Sequence, residues 1–555
     1  MLANANSRLF HPLNDYNGPI ERVAILMAMM EEATPVIQAL NLTRCHTNLN
    51  PYLCLLSFTG FIANRQIYLI VNGEDPDHHV ARVGTEAAAL CAYEVISSLK
   101  PDTLISAGTA GGYAERGAQL GDVYIASDEF NFHDRRITLS PAYEAYARGH
   151  YPCLETHAIA SSLNLKMGRI SSGNSLSISP EDQAMIDALG SNAKEMEVAA
   201  IAHVARFFNV RVCAVKAITN IAGIEANAAE QFQTHFTLAT QALARTLPGI
   251  IEHLLHPRPS ALNPITKINP WETPTSQKQH SKNSNNFDKL SADRPIEKLA
   301  ILVAMPEEAH FLIQELKLKR HDLGLNPNLG LETYSGRCGQ REIYCIINGT
   351  DYQHGVARVG TEAASLSAYE VITCLNPDTL ISAGTAGGYA ERGAKIGDVY
   401  LSTGKFYFHD RHIPLSPNYE AYSRGAYASL ALDGLAHALN LKQGIVSSGN
   451  SLELSPSEAM TLLELKTDVK DMEAAAIAQV SRLFGVRVLA VKAITDLIGE
   501  TSSAANQFEA NFAIACKELS LTMKHIIPSL LGYRPSELEE FNQTDMYSHS
   551  AFGYD

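Results

Sequence analysis

The sequence predicts an α/β protein: two tandem three-layer α/β/α domains, each with a mixed, largely parallel central sheet. Three observations carry this. Residues 377–394 repeat residues 101–118 letter for letter as PDTLISAGTAGGYAERGA, an offset of 276. The same offset maps Pro19-Ile20-Glu21 onto Pro295-Ile296-Glu297, His133-Asp134 onto His409-Asp410, and Gln231-Phe232 onto Gln507-Phe508. A period this long belongs to a duplicated domain, not to a solenoid. Within each copy, short β-branched runs alternate with longer segments of helical periodicity. The strand-like runs are apolar almost throughout, as expected where helices cover both faces of a sheet.

The elements follow in order. Copy 1 spans 19–255. Its strand-like runs are VAILMAM (23–29), IYLIVNG (67–73), TLISAG (103–108), DVYIAS (122–127) and VRVCAVKAIT (210–219). Its helix-like runs are EEATPVIQAL (31–40), VGTEAAALCAYEVISSL (83–99), KEMEVAAIAHVARFF (194–208) and the segment through 232–255. Copy 2 spans 295–532 in the same register. Residues 256–294 are rich in Pro, Ser, Asn and Lys and lack apolar periodicity, so they read as a flexible linker. Residues 533–555 read as a poorly ordered tail.

Composition narrows the function. At 555 residues the chain is too long for one ordinary core and suits two large ones. A net charge of −15 argues against nucleic-acid and anionic-membrane partners, which need clustered Lys and Arg. No apolar run is long enough to span a membrane. The start, MLANANSRLFHPLNDYNGPIE, has neither a basic nor an apolar signal region, so a cytoplasmic protein is expected. Nine scattered cysteines without CxxC spacing fit reduced thiols rather than a disulfide framework or a zinc site; no metal and no cofactor are expected.

Ligands in such sheets bind beyond the carboxyl ends of strands, and chemistry-bearing residues lie there. The first strand ends in Ala28-Met29-Met30-Glu31-Glu32, and in Ala304-Met305-Pro306-Glu307-Glu308 in copy 2. An acid at a helix start is ordinary, but two adjacent Glu cannot both serve one N-terminal position, which leaves one to face a cleft. Ser106–Gly112, repeated as Ser382–Gly388, admits close approach of a ligand, or is simply a tight turn. The phosphate-cradling Walker and GxGxxG patterns are missing. Glu195-Met196-Glu197 and Asp471-Met472-Glu473 begin a helix, and a carboxylate among Met and Ala needs a hydrogen-bonding partner such as a diol. The last strand ends in Thr219-Asn220 but Thr495-Asp496, the one place where the copies differ in chemistry. Asp can protonate a leaving group; Asn of nearly equal volume cannot. His133-Asp134-Arg135-Arg136 and His409-Asp410-Arg411-His412 tempt as catalytic groups, yet no fitting nucleophile motif accompanies them. A structural role at a loop or subunit contact is the preferred reading.

In combination the motifs AMxEEA, SAGTAGG, GDVY, FHDR, SSGNSL, EMEVAAIA or DMEAAAIA, and AITN or AITD resemble the purine nucleoside phosphorylase/nucleosidase superfamily, twice and in the same order. They are most similar to its 5′-methylthioadenosine/S-adenosylhomocysteine nucleosidases. VGTEAA, FHDRRI and DMEAAAIA are nearest the plant-type branch. The resemblance implies a nucleoside phosphorylase-like fold and a role for each matching residue. Glu32 and Glu308 would position and deprotonate the attacking water. Glu197 and Glu473 would bind the ribose hydroxyls, with Met196 and Met472 beside the sugar. Asp496 would protonate purine N7, with Thr385 (Thr109 in copy 1) orienting the residue at that position. Backbone around Asn450-Ser451-Leu452, and Asn174-Ser175-Leu176 in copy 1, would hold the adenine edge. Three departures stand out: Asn174 and Asn450 replace the usual Asp, Leu176 and Leu452 replace the aromatic of the bacterial branch, and Asn220 replaces the general acid.

The implied activity is hydrolysis of the N-glycosidic bond of 5′-methylthioadenosine, or of S-adenosylhomocysteine, mainly in domain 2. An acid on the base, a carboxylate on the diol and a carboxylate on water supply what that reaction requires. Phosphorolysis would need cationic anchors for a dianion. A phosphorylase remains an alternative, as does a nucleoside-binding, 6-oxopurine-tuned or structural copy 1. Homodimers of this family imply an intramolecular pseudo-dimer of the two copies, or a homo-oligomer.

Overall fold

The computed structural model describes residues 18–222, 227–255 and 293–542. Residues 256–292 of the expected linker and residues 543–555 of the expected tail lie outside them.

In copy 1 five strands close on themselves. Thr103–Tyr113 runs parallel to Arg211–Ala222 along its whole length. Arg211–Ala222 pairs antiparallel with Val123–Phe132, which runs parallel to Lys166–Ser172. Lys166–Ser172 pairs with Ala193–Glu195, which returns to Thr103–Tyr113 at Gly111 and Gly112. Beside this ring, Val23–Met27 lies parallel to both Thr103–Tyr113 and Arg65–Val71, and Leu56–Ile62 and Thr43–Arg44 extend the edge. The sheet is therefore mixed, and the two long strands, of 11 and 12 residues, join its flat part to its curled part. Copy 2 repeats this, with the counterpart of Val123–Phe132 divided into Val399–Ser402 and Lys405–Phe408. The break falls at Gly404 (φ +66°), where Asp128 of copy 1 takes the same left-handed conformation (φ +63°).

Two elements differ from the sequence reading. SAGTAGG is not a turn after a strand; it is the second half of the strand Thr103–Tyr113. KEME is not helical: Ala193–Glu195 is a strand, and the helix is Val198–Phe207. The antiparallel pairing of Lys194 with Gly111 overrides local helix propensity, because closing the ring satisfies the backbone there.

Helices Met30–Ala39 and Ala228–Leu255 cover the outer face of the sheet; Thr85–Leu99 and Val198–Phe207 cover the inner face. Every residue from Thr85 to Ile96 is buried. A helix buried all round must be packed on opposite sides, and here one side meets its own sheet while the other meets the equivalent helix Thr361–Leu375 of copy 2. One apolar core thus runs through both copies, flanked by a separate outer core in each. The contacts are reciprocal. The Tyr93 hydroxyl donates to Glu370 Oε2 at 2.6 Å and the Tyr369 hydroxyl to Glu94 Oε2 at 2.7 Å, with the two rings edge to face at 5.9 Å. Such reciprocity is that of an approximate two-fold axis between the copies.

The beginning of the expected loose tail is folded. Pro535–Glu539 forms a short helix, Leu538 and Phe541 are buried in the outer core of copy 2, and the Tyr533 carbonyl accepts from Ile296 N at 3.0 Å. Burial of these apolar side chains offsets the cost of ordering the segment.

Candidate active site

Glu32 and Glu308 sit in the first turns of Met30–Ala39 and Pro306–Glu315 and are almost fully buried. Glu32 Oε1 accepts from Thr109 N (2.8 Å) and Thr109 Oγ1 (2.6 Å); Glu308 Oε1 accepts from Thr385 N and Oγ1, both at 2.7 Å. A side chain at Gly108 or Gly384 would crowd these carboxylates, since a Cβ there lies 3.2 and 3.0 Å from Glu32 Oε2 and Glu308 Oε1. This explains the glycine inside a strand. Burial pushes both carboxyls above the ordinary Glu value, while Thr109 or Thr385 and the nearby Lys216 or Lys492 pull them back.

Glu197 and Glu473 are the residues just before helices Val198–Phe207 and Ala474–Phe484. Each accepts one backbone hydrogen bond, Gly84 N to Glu197 Oε1 at 3.2 Å and Gly360 N to Glu473 Oε1 at 3.0 Å. Their neighbours carry the structural load. Glu195 accepts from Glu197 N and Val198 N and pairs with Lys216 at 2.7 Å; Asp471 accepts from Ala474 N and pairs with Lys492 at 2.7 Å. Burial, with Glu195 close by, pushes the Glu197 carboxyl up to about 8, and burial pushes Glu473 up to about 7. Glu32, Glu197, Lys216 and Gly108 line a small common pocket in copy 1.

Asn220 and Asp496 lie at a bulge in the last strand, where the register to the partner strand shifts between Ile218 and Asn220 in copy 1 and between Ala386 and Gly387 in copy 2. A bulge re-aims one side chain. Thr219 Oγ1 donates to Asn220 Oδ1 at 3.1 Å, and Thr495 Oγ1 to Asp496 Oδ1 at 2.9 Å. A Cβ on Gly111 or Gly387 would lie 2.9 Å from Asn220 Nδ2 or 2.6 Å from Asp496 Oδ2, so these glycines also make room for a polar head. Burial raises the Asp496 carboxyl and Lys470 opposes the shift.

The structure corrects one expected role. Thr109 and Thr385 hold Glu32 and Glu308, not the residue at the last-strand bulge; that residue is held by the threonine immediately before it. Sequence reasoning also missed Lys216, Lys492 and Lys470, because a lysine within an apolar strand carries no local sign of which carboxylate it faces.

The Asn174–Leu176 and Asn450–Leu452 segments are first of all joints between the copies. Leu176 N donates to His412 O at 3.0 Å and Leu452 N to Arg136 O at 2.8 Å; Ser175 Oγ donates to Asp410 O at 3.0 Å and Ser451 Oγ to Asp134 O at 3.1 Å. Backbone donors expected to hold a base edge are thus already engaged at Leu176 and Leu452. Asn174 Oδ1 caps helix Thr85–Leu99 by accepting from Thr85 N at 2.8 Å, and Asn450 Oδ1 does the same for Thr361 N at 2.9 Å. The His-Asp-Arg loops play the structural part preferred from the sequence. Arg411 Nη2 meets Glu86 Oε1 at 2.6 Å, Arg135 pairs with Glu362, and burial pushes His133 down to about 3 and so keeps it neutral.

Apolar residues of the two copies meet beside each candidate site. Met472 packs against an apolar cluster that includes Ile137, Tyr146 and Ala147 of copy 1; Met196 packs against one that includes Ile413 and Tyr422 of copy 2. Burial, and then the charges of Glu307, Glu308 and Glu473 of copy 2, push the Tyr143 hydroxyl up to about 12.

Among the described residues no group of three or more His, Cys, Asp or Glu is arranged to hold a metal ion, and no helix is long and apolar enough to cross a membrane. All nine cysteines are free thiols.

Comparison with known proteins adds the following. The 5′-methylthioadenosine nucleosidase of Arabidopsis thaliana is 35% identical over 237 residues, 42% of this chain and 88% of that protein. The 5′-methylthioadenosine/S-adenosylhomocysteine nucleosidase of the same organism is 35% identical over 237 residues, 42% of this chain and 92% of that protein. A solved structure of Arabidopsis thaliana 5′-methylthioadenosine nucleosidase in apo form matches 43% of this chain and 98% of its own at 34% identity, with a TM-score of 0.42. A sequence model described as Phosphorylase superfamily matches residues 22–252 and again 298–528. With both copies matched over nearly their whole length, the chain belongs to the phosphorylase superfamily.

Proposed function

We propose that the chain is an N-glycosyl hydrolase that releases adenine from 5′-methylthioadenosine or S-adenosylhomocysteine, with most turnover in copy 2. The observation that carries this is the chemical difference between two otherwise matching sites: Glu308, Glu473 and Asp496 in copy 2 against Glu32, Glu197 and Asn220 in copy 1. The names of the Arabidopsis relatives support the substrate class.

The roles follow from the chemistry. Glu308, fixed by two Thr385 donors at Oε1 and by Met305 N on Oε2 at 3.1 Å, keeps a second lone pair of Oε2 for a water and accepts its proton as it attacks C1′. Glu473 accepts hydrogen bonds from the ribose diol, which strengthens as positive charge develops on the sugar. Asp496, its carboxyl raised by burial, gives a proton to N7 so that adenine departs neutral. Electrons of the glycosidic bond pass to the base, and water supplies the new C1′–O bond. Met472 and the apolar residues from copy 1 would shield the 5′ substituent from water.

Water is preferred over phosphate because the nearest buried cation, Lys492, is committed to Asp471, and a dianion would face Glu308 and Glu473. Adenine release by the purified full chain in phosphate-free buffer tests the reading. Turnover that appears only on adding phosphate would identify a phosphorylase instead. In this reading the two copies act as an intramolecular pseudo-dimer, since each supplies residues to the other's site, and the free thiols suit a cytoplasmic location.

A further inference from the structure

We propose that copy 1 is a regulatory site that binds an intact adenine nucleoside without cleaving it and passes its occupancy to copy 2 through helix Thr85–Leu99. The proposal rests on the reading of copy 2 as the hydrolytic site.

Binding without cleavage follows from Asn220. Adenine presents an N6 donor beside an N7 acceptor, and a carboxamide matches that pair bidentately. Thr219 donates to Asn220 Oδ1, which leaves a second lone pair there for N6–H, while Nδ2 can donate to N7. An amide has no proton to give up, so the base stays bonded to the sugar. The other binding groups of copy 1 are intact: Glu197 accepts one backbone hydrogen bond, from Gly84, and lines a pocket together with Glu32 and Lys216.

The link to copy 2 is short and buried. Gly84, whose N–H donates to Glu197, is the residue that precedes helix Thr85–Leu99, so a diol bound to Glu197 acts at that helix end. One residue into the helix, Glu86 Oε1 accepts from Asn174 Nδ2 of copy 1 at 3.2 Å, from Arg411 of copy 2 at 2.6 Å and from the Thr361 hydroxyl of copy 2. Thr361 in turn donates its N–H to Asn450 Oδ1 at 2.9 Å, and Gly360 just before it donates to Glu473. Glu197 of one site and Glu473 of the other therefore hold the starts of two helices that pack on each other and share one carboxylate. The halves are not equivalent here: Asn450 Nδ2 donates to Thr361 Oγ1 rather than to Glu362, the counterpart of Glu86. A shift of the Thr85 end changes the partners of Thr361, and with them the seat of Glu473. Such a device alters affinity at the second site by the same factor in both directions.

The test uses the full chain and 5′-methylthioadenosine. In Asp496→Asn, calorimetric titration should find two nucleosides bound per chain with no adenine released, and Glu197→Gln or Asn220→Leu in that background should reduce the count to one. One site before the second change overturns the proposal. Rapid adenine release by Asp496→Asn would instead overturn the assignment of hydrolysis to copy 2, so the two failures are distinguishable. For coupling, initial rates of the otherwise native chain should depart from a hyperbola in substrate. Asn220→Leu, which leaves the groups of copy 2 in place, should restore the hyperbola and shift the KM of copy 2 by about 5-fold or more. Glu86→Gln should keep two bound nucleosides but lose the departure. Hyperbolic rates with an unchanged KM in all three chains would refute the coupling.

Discussion

Exchanging one carboxyl for an amide at residue 496 separates chemistry from fold. Asp496 is 3% exposed, accepts from Thr495 at 2.9 Å, and has Gly387 against its other oxygen. Copy 1 already shows that the amide fits: Asn220 occupies the equivalent bulge with its threonine bond intact at 3.1 Å. Asp496→Asn should therefore leave the unfolding midpoint within the small range of a nearly isosteric change. The rate should fall by the worth of a general acid, about 10²–10⁴-fold, which is about 3–5 kcal/mol of barrier at 1.36 kcal/mol per tenfold. The reverse exchange has a prepared setting. Lys194 reaches the Leu176 carbonyl as Lys470 reaches that of Leu452, so Asn220→Asp would meet a lysine placed like the one beside Asp496. Adenine release should fall in Asp496→Asn and return in the double variant Asn220→Asp/Asp496→Asn, now from copy 1. A loss of less than tenfold in the single variant, or no recovery in the double, would refute the assignment of the general acid.

Glu308→Gln should lower kcat by about 10²–10⁴-fold with little change in KM, because the amide still accepts from Thr385 but cannot take a proton from water; a rise in KM alone would contradict the role. The ligand-free protein should lose stability as pH rises. Burial pushes Glu473 up to about 7 and Glu197 up to about 8 from an ordinary 4.5, so the unfolded chain releases these protons first; their contribution is full below about 4.5 and gone above about 8. Melting temperatures across that window should fall, and less steeply in Glu197→Gln. Arg411→Met removes one partner of a buried pair and should destabilise the chain by about 3–5 kcal/mol in denaturant unfolding. Residues 293–542 expressed alone would expose the apolar side of Thr361–Leu375 and should self-associate in sedimentation; a stable monomer would show that the copies do not depend on each other.

Much of the site was legible because its signals are local. Paired glutamates after an apolar run, a glutamate between Met and Ala, and one Asn-for-Asp difference at the 276-residue offset all stand in short stretches of sequence. What was misread depends on distant partners. The glycines of SAGTAGG leave a tight turn open, yet they lie in a strand paired along its length with Arg211–Ala222, and they are small because Glu32 and Asn220 rest against Gly108 and Gly111. Glu195 reads like Glu197, but only the fold brings Lys216 to the first and leaves the second with one backbone donor. Thr385 and Thr495 are indistinguishable in chemistry; strand register decides which of them faces Glu308 and which faces Asp496.

The sequence by itself determined that one α/β domain is used twice and which chemical groups each copy owns, since composition, periodicity and repeat register are properties of the chain. Tertiary structure alone decided that the copies face each other across Thr85–Leu99 and Thr361–Leu375, and which carboxylates of the other copy the His-Asp-Arg loops hold. The physical reason is burial. A helix apolar on every side, or a buried arginine whose own-copy carboxylate is 3.9 Å away, states a need for a partner, and only packing names the partner.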